Sequence, residues 1–345
     1  MSHGTSGVTS QQAARGQVNR DLSSRGYLLR VPTQPPFDPE RGTTVVEPLG
    51  SGPGWWAGAP SALWSGGRFY LSYRLRRPRP ERGGSTHIAV SDDGVRFETI
   101  WTAQKEEFDT PSIERSALVH VADRHWRLYV SYVDAADGRW RIDLLEGAAP
   151  DRFDPRQRRP VLTAADIGAE GVKDPWVARR DGGWQLLASY VDAPPHGTGD
   201  RSDLHGTMDV FTTGLTTSST GIATSDDGLT WRWAGAVLTP SAGGWDSYTA
   251  RLTSVVATAD GWLGFYDGCG GVEQNYEERC GLVIGDGADH WSRASARPAV
   301  GAPGGTGTVR YVEAVQTTAW IRFFYEFTRP DGSHELRTSL RETRP

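Results

Sequence analysis

The sequence predicts an all-β fold, a five-bladed β-propeller with four-stranded antiparallel blades. Three observations predict it. The chain holds 14 Trp, 11 Tyr and 10 Phe beside 42 Gly and 21 Pro in 345 residues, a mixture suited to short strands and tight turns. One unit recurs five times: an apolar strand, a turn that contains Gly or Asp in the first four, then an aromatic-rich strand ending near a Tyr. No segment sustains the i, i+3, i+4, i+7 apolar pattern of a long amphipathic helix. A sandwich would not produce five equivalent units, and a solenoid would repeat at shorter intervals.

In chain order, the opening "MSHGTSGVTSQQAARGQVNRDLSSRG" is polar and lacks the apolar core of a secretory signal. Residues 1–25 are therefore expected to be disordered, and 26–345 to form one propeller domain. The five units are "APSALWSGGRFYLSYR" (59–74), "ERSALVHVADRHWRLYVSYVD" (114–134), "KDPWVARRDGGWQLLASYVD" (173–192), "ARLTSVVATADGWLGFYDG" (250–268) and "VRYVEAVQTTAWIRFFYEF" (309–327). Tyr73, Tyr132, Tyr190, Tyr266 and Tyr325 occupy the same place in each. A second hairpin follows three of them, at 86–100, 220–234 and 280–294, each reading as strand, acidic-Gly turn and aromatic strand. Residues 192–220 fit no repeat. They leave the end of a second strand, so they should overhang a pocket there and shape it without holding the propeller together. Cys269 and Cys280 are expected to be free thiols rather than a bridge.

Charge narrows the function. A net charge of -5 lacks the basic excess of a general nucleic-acid binder. No apolar run approaches the roughly 20 residues that span a bilayer. The expected setting is cytoplasmic, with no nucleic-acid or membrane partner. Within a propeller, the first strand of each blade lies nearest the axis, and its start meets the end of the second strand at one mouth of the channel. The openings are Pro60-Ser61, Glu114-Arg115, Lys173-Asp174, Arg251 (after Tyr248), and Arg310-Tyr311 with Glu313. The closings are Arg74, Asp134, Asp192, Asp267 and Glu326. Charged groups thus recur at one end of apolar strand pairs, where burial would demand partners. Pro175 fixes φ after Asp174 and aims its carboxylate. In a regular strand Lys173 points away from Asp174, toward a neighbouring blade. A bulge would instead turn Lys173 into the pocket and depress the Asp174 pKa.

These units and the Asp-Pro opening resemble the five-bladed propeller glycosidases, the superfamily of arabinanases, xylosidases, invertase-like enzymes and mannoside phosphorylases, over about residues 55–340. The resemblance implies catalytic carboxylates at the heads of the innermost strands, around a funnel that holds one terminal sugar, with Asp174 in the Asp-Pro role. The "SDDG" turns at 91–94 and 225–228 look like the structural Asp-box turns of sialidase-type propellers. The first blade departs from the pattern, opening with Ala59-Pro60-Ser61 where many of these enzymes carry a catalytic Asp.

Glycoside cleavage asks for two carboxyl groups, one protonated and one ionised. The catalytic candidates are Glu114, Asp174 and Glu313. Glu313, flanked by Val312 and Ala314, is assigned as the acid, and Asp174 as the base. Asp246, Asp267, Glu277 and Glu326 form a second tier. Trp55 and Trp56 are candidates either to stack on a sugar or to staple the ring closed. Arg115, Arg251 and Arg310 would mark an anionic ligand if they face the pocket, and an inter-blade salt bridge otherwise. Lys173, Tyr248 and Tyr311 complete the binding set. His196, Asp200, Asp203 and His205 match no standard metal spacing, so neither metal nor cofactor is assigned. The functional expectation is a glycoside hydrolase-like enzyme acting on a terminal sugar, neutral or anionic. A glycoside phosphorylase, an acidic-sugar enzyme and a non-catalytic glycan-binding propeller are the alternatives.

Overall fold

A computed structural model of the chain describes residues 35–180, 182–194, 199–258, 261–285, 289–302 and 306–342. The expected disorder of residues 1–25 lies outside them. The five units form five antiparallel blades. Blade one comprises Trp56–Ser65, Arg68–Arg76, Gly83–Ser91 and Glu98–Gln104. Blade two comprises Ile113–Ala122, His125–Val133, Trp140–Gly147 and Arg159–Leu162. Blade three holds Gly171–Arg180, Gly183–Val191, Ser218–Ser225 and Arg232–Leu238. Blade four holds Thr249–Thr258, Gly261–Cys269, Arg279–Gly285 and Trp291–Arg293. The last blade comprises Val309–Gln316, Trp320–Thr328 and His334–Glu342, and its fourth strand is Thr43–Val46 from the other end of the chain. The first strands pack side by side in a closed ring, one to five and five back to one. Among the described residues the α-helix is one short stretch, Arg201–His205.

Each strand has one face against the next blade, so the core divides into inter-blade layers. Leu63 and Ile88 meet Leu118 and Leu128 between blades one and two. Tyr129 meets Val177 and Leu186 between two and three. Trp176 and Leu187 meet Leu252 and Val283; Phe265 and Leu282 meet Val312 and Phe323; Phe69 and Leu71 meet Phe324 and Leu336. Full burial of such side chains contributes about 1.5–3 kcal/mol each. The repeated tyrosines are buried in these layers. Tyr132 donates to Asp143, Tyr266 to Asp246 and Tyr325 to the Pro39 carbonyl, tying the second strand to outer parts of the blade.

The "SDDG" turns are built as expected. Asp93 Oδ1 accepts from the amides of Val95 and Arg96 and from the Ser91 hydroxyl. Asp227 Oδ1 does the same with Leu229, Thr230 and Ser225. Those donors favour the carboxylate and draw the Asp227 pKa down to about 2. Cys269 and Cys280 are free and buried.

The first strand of every blade carries a register shift at the same place: between Gly58 and Ser61, Ile113 and Ser116, Lys173 and Trp176, Leu252 and Ser254, and Arg310 and Glu313. A bulge breaks the two-residue alternation and re-aims a side chain. In three blades the bulged residue is left-handed: Ala59 at φ +51°, Asp174 at +56° and Tyr311 at +52°. Each costs roughly 1–2 kcal/mol for an L-residue. Strain repeated at the channel end of the ring marks this end as the place to seek function.

Ring closure rests on the segment before blade one. Phe37 stacks on Phe323 with centroids 4.5 Å apart and is 7% exposed. Phe37→Ala is expected to lower stability by about 3–5 kcal/mol, read as a shift of the urea midpoint. A variant that unfolds with the wild type would show that the fifth blade closes without this anchor.

Candidate active site

Charge gathers into a buried belt at the bulged end of the ring. Glu114, from the blade-two bulge, accepts from Arg76 at 2.7 Å and from Arg74 Nε at 2.8 Å. Arg74 also donates to Glu326 at 3.3 Å, and Glu326 accepts from Arg310 at 2.6 Å and 2.8 Å. Arg310 reaches Glu278 at 2.7 Å, and Arg251 reaches the other oxygen of Glu278 at 3.2 Å. All of these side chains are no more than 4% exposed. Burial pushes the Glu114 pKa up, but Arg74, Arg76 and Lys173 outweigh it and hold the group well below the usual carboxylate range. Glu326 behaves likewise, through Arg310, Arg74 and His334.

Blade three adds a carboxylate with one oxygen left without a hydrogen-bond partner. Asp174 is 2% exposed. Its Oδ2 accepts from the Tyr311 hydroxyl at 3.3 Å and lies 3.7 Å from Lys173 Nζ. Its Oδ1 is buried with no hydrogen-bond partner. The register shift begins just after Lys173, whose ammonium sits over the rings of Trp140 at 4.9 Å and Phe211 at 4.6 Å. Tyr311 is held in turn. Its amide donates to both Asp267 oxygens, at 2.9 Å and 3.1 Å. Burial, and then the charge of Glu278, pushes the Asp267 carboxyl well above its ordinary pKa. Burial, Asp174 and Glu114 raise the Tyr311 phenol in the same way.

Several expectations need correction. Glu313 is not a carboxyl among apolar neighbours: Arg115 donates to it at 2.6 Å and Trp176 Nε1 at 3.4 Å, joining blades two, three and five. Arg115, Arg251 and Arg310 are each ion-paired with buried carboxylates, so they give no reason to expect an anionic ligand. Asp246 lies outside the belt, held by Tyr266 and Arg293. Tyr248 anchors the insert instead, donating to the Phe211 carbonyl and accepting from the Gly214 amide. Trp55 packs near Gly50 and Arg77, while its carbonyl accepts from His334, so it acts as a staple. Of the closings, Arg74, Asp267 and Glu326 join the site, whereas Asp134 pairs with Arg141 and Asp192 is exposed. Asp200 and Asp203 cap the short helix, and His205 bonds Glu170. His196 lies outside the described residues.

A cavity of about 690 Å³ opens beside the belt, lined by Trp56, Arg79, Thr207, Asn275, Tyr276 and Glu277 among others. That volume falls within the roughly 300–1,000 Å³ of small-molecule sites. Trp56 stacks on His334 and has the Arg76 and Arg310 guanidiniums 4.8 Å from its ring. Tyr276, at φ +151°, packs on Trp56; its hydroxyl accepts from Arg76 and donates to Asp209 at 3.0 Å. Trp56 and Tyr276 therefore stand between the cavity and the Arg76–Glu114 pair. Burial pushes the Glu277 carboxyl up, but His334, Thr306 and Thr308 outweigh this and bring it down to about 2.

Sequence reasoning missed Arg76, Asp209, Tyr276, Glu278 and His334. Tyr276 and Glu278 follow the second strand of blade four, at the same ring end as the closings, and that position was the available signal. Asp209 lies in the insert, which does more than shape the cavity. Leu204, Val210 and Phe211 form a buried cluster with Val133, Trp140 and Val191, and Asp209 bonds Trp140 and pairs with Arg82.

No protein-family model matches the sequence, and no curated protein sequence is similar to it. Solved structures share its fold. A structure described as a glycoside hydrolase superposes with a TM-score of 0.67 over 90% of this chain and 92% of its own, at 13% identity. A thermostable family-43 glycoside hydrolase gives 0.59 over 87% and 92%, at 14% identity. The β-1,2-mannobiose phosphorylase of Listeria innocua, in complex with β-1,2-mannobiose, gives 0.57 over 86% and 93%, at 15% identity. The chain has the five-bladed propeller fold of these carbohydrate enzymes.

Two predictions follow from this geometry. A carboxyl whose pKa is raised by folding destabilises the folded chain once the pH exceeds its unfolded value, about 3.9. The stability of Asp267→Asn relative to wild type should therefore improve as pH rises from about 4, until Asp267 ionises in the folded protein; an advantage that shrinks with pH would contradict the assignment. Replacing 193–217 by a Gly-Ser link should lower the thermal midpoint clearly, because it uncovers Trp140 and leaves Arg82 without Asp209. An unchanged midpoint would return the insert to a purely pocket-shaping role.

Proposed function

We propose that the chain is a glycoside-cleaving enzyme that takes a terminal sugar at the belt end of the channel and uses Asp174 as its ionised carboxylate. One observation carries the reading: Asp174 sits on a strained bulge, with one oxygen held and the other buried without a hydrogen-bond partner. An unpartnered buried carboxylate oxygen is costly. A group kept in that state is suited to accept a proton from water or to attack an anomeric carbon. Glu114, held ionised by two arginines, is suited to stabilise positive charge developing on the sugar. The shared fold supports the assignment, and the mannobiose complex of one neighbour makes a neutral disaccharide a sensible first ligand.

The chemistry has a specific gap. Burial holds the Asp267 carboxyl well above its ordinary pKa, but its oxygens face the Tyr311 amide, so it supports that residue rather than a leaving group. Ala59 occupies, in blade one, the left-handed bulge that Asp174 occupies in blade three. This favours, as the second reading, a propeller that binds a glycan without cleaving it.

The test uses 4-nitrophenyl glycosides, whose leaving group departs without protonation, with and without inorganic phosphate. Cleavage is expected, and Asp174→Asn should lower kcat by roughly 10²–10⁴ while the thermal midpoint stays within a few degrees. Cleavage that needs phosphate would indicate a phosphorylase. Mannobiose binding by calorimetry with no turnover would establish the second reading instead. Normal turnover by Asp174→Asn would remove Asp174 from the reaction.

A further inference from the structure

We propose that Tyr311 is a positioning residue for Asp174, and that Asp267 serves it by fixing the Tyr311 backbone. The proposal rests on the assignment of Asp174 as the reactive carboxylate and extends it to two further blades.

A carboxylate has two oxygens, and here they differ. Oδ2 meets the Tyr311 hydroxyl at 3.3 Å and the Lys173 ammonium at 3.7 Å, while Oδ1 meets no hydrogen-bond partner. Holding one oxygen fixes the direction of the other, which is what a reacting group requires. The bond is long for a hydroxyl donor, as catalytic bonds often are before a ligand tightens them. Lys173 restrains Asp174 from the same strand, so the only described side chain that reaches the carboxylate from across the ring by a hydrogen bond is Tyr311.

Tyr311 is built for a fixed aim. It occupies the same left-handed bulge in blade five that Asp174 occupies in blade three. In a regular strand its ring would turn to the other face. Both oxygens of Asp267, from blade four, hold its amide in the bulged conformation. The guanidiniums of Arg310 and Arg74 lie 5.2 Å and 6.0 Å from its ring and confine it. The route runs from Asp267 to the Tyr311 amide, and from the Tyr311 hydroxyl to Asp174. Other charges that act on these groups are Lys173 from blade three, Arg251 and Glu278 from blade four, and Glu114 from blade two.

A donor to the ionised form favours that form, so losing the hydroxyl should raise the Asp174 pKa. The experiment is carbon-13 NMR of protein labelled at the aspartate carboxyls, with the Asp174 signal identified by its loss in Asp174→Asn. In Tyr311→Phe the Asp174 titration is expected to move up. Asp267→Ala should move it in the same direction, and Asp267→Asn, which keeps an acceptor for the amide, should leave it near wild type. With a cleaved 4-nitrophenyl glycoside, Tyr311→Phe should lower kcat about tenfold or more with KM within about twofold, and shift the acidic limb of the pH profile upward. An unmoved Asp174 titration in folded Tyr311→Phe overturns the proposal; should that variant not fold, an unmoved titration in Asp267→Ala does so. The NMR result stands apart from activity. If Asp174→Asn is inactive while Tyr311→Phe is normal in rate and titration, this inference fails and the assignment of Asp174 survives. If the titration moves but Asp174→Asn turns over normally, the coupling is real and the assignment of Asp174 fails.

Discussion

The structure depends on pairing charge where five strands converge. Glu114, Arg74, Glu326, Arg310, Glu278 and Arg251 alternate in sign through side chains that water barely reaches. Such pairs add little net stability over apolar residues of similar size, but removing one partner leaves a buried charge unpaired and costs about 3–5 kcal/mol. The belt therefore constrains the ring more than it strengthens it. Blades one, two, four and five supply its members, so each must keep its place for the others to stay neutralised. Blade three supplies Asp174, which lacks a bidentate arginine and whose Oδ1 meets no hydrogen-bond donor.

Above that point the molecule is covered by contacts between loops. The hydrogen bond from Tyr276 to Asp209 joins the loop after the second strand of blade four to the insert of blade three. Trp56 lies beneath Tyr276 and against His334 of the last blade. One hydroxyl–carboxylate bond and a small aromatic stack thus separate the cavity from the charged groups under it. Tyr276 makes these contacts from a backbone φ of +151°. The insert is anchored independently through Phe211 and Tyr248.

Much of this was legible along the chain. The five repeats, the tyrosines and the Asp turns are local patterns, and each became the element its spacing implied. In blades one, two, three and five the openings fell on bulge residues, whereas Arg251 in blade four stays in register with Asp267. Glu313 was misread, and the choice between an anionic ligand and a salt bridge stayed open for the three blade-opening arginines, for one reason. Their neighbours in sequence are apolar or unremarkable, and their partners are not neighbours in sequence. Arg115 meets Glu313 at a separation of 198 residues. Asp246 and Tyr248 were placed in the site, yet their side chains tie down a strand and the insert.

The sequence by itself determined the strand periodicity, the turns, the number of blades and the recurrence of charge at one end of each strand pair. These follow from alternation and turn chemistry, which act over a few residues. The tertiary structure alone decided which charge meets which, because closing a ring brings residue 74 to residue 326 and residue 311 to residue 174. It also decided that Asp174 keeps a free oxygen while Glu313 does the work of an ion pair with Arg115. Periodicity specifies the face a side chain takes; only the closed ring specifies what stands opposite it.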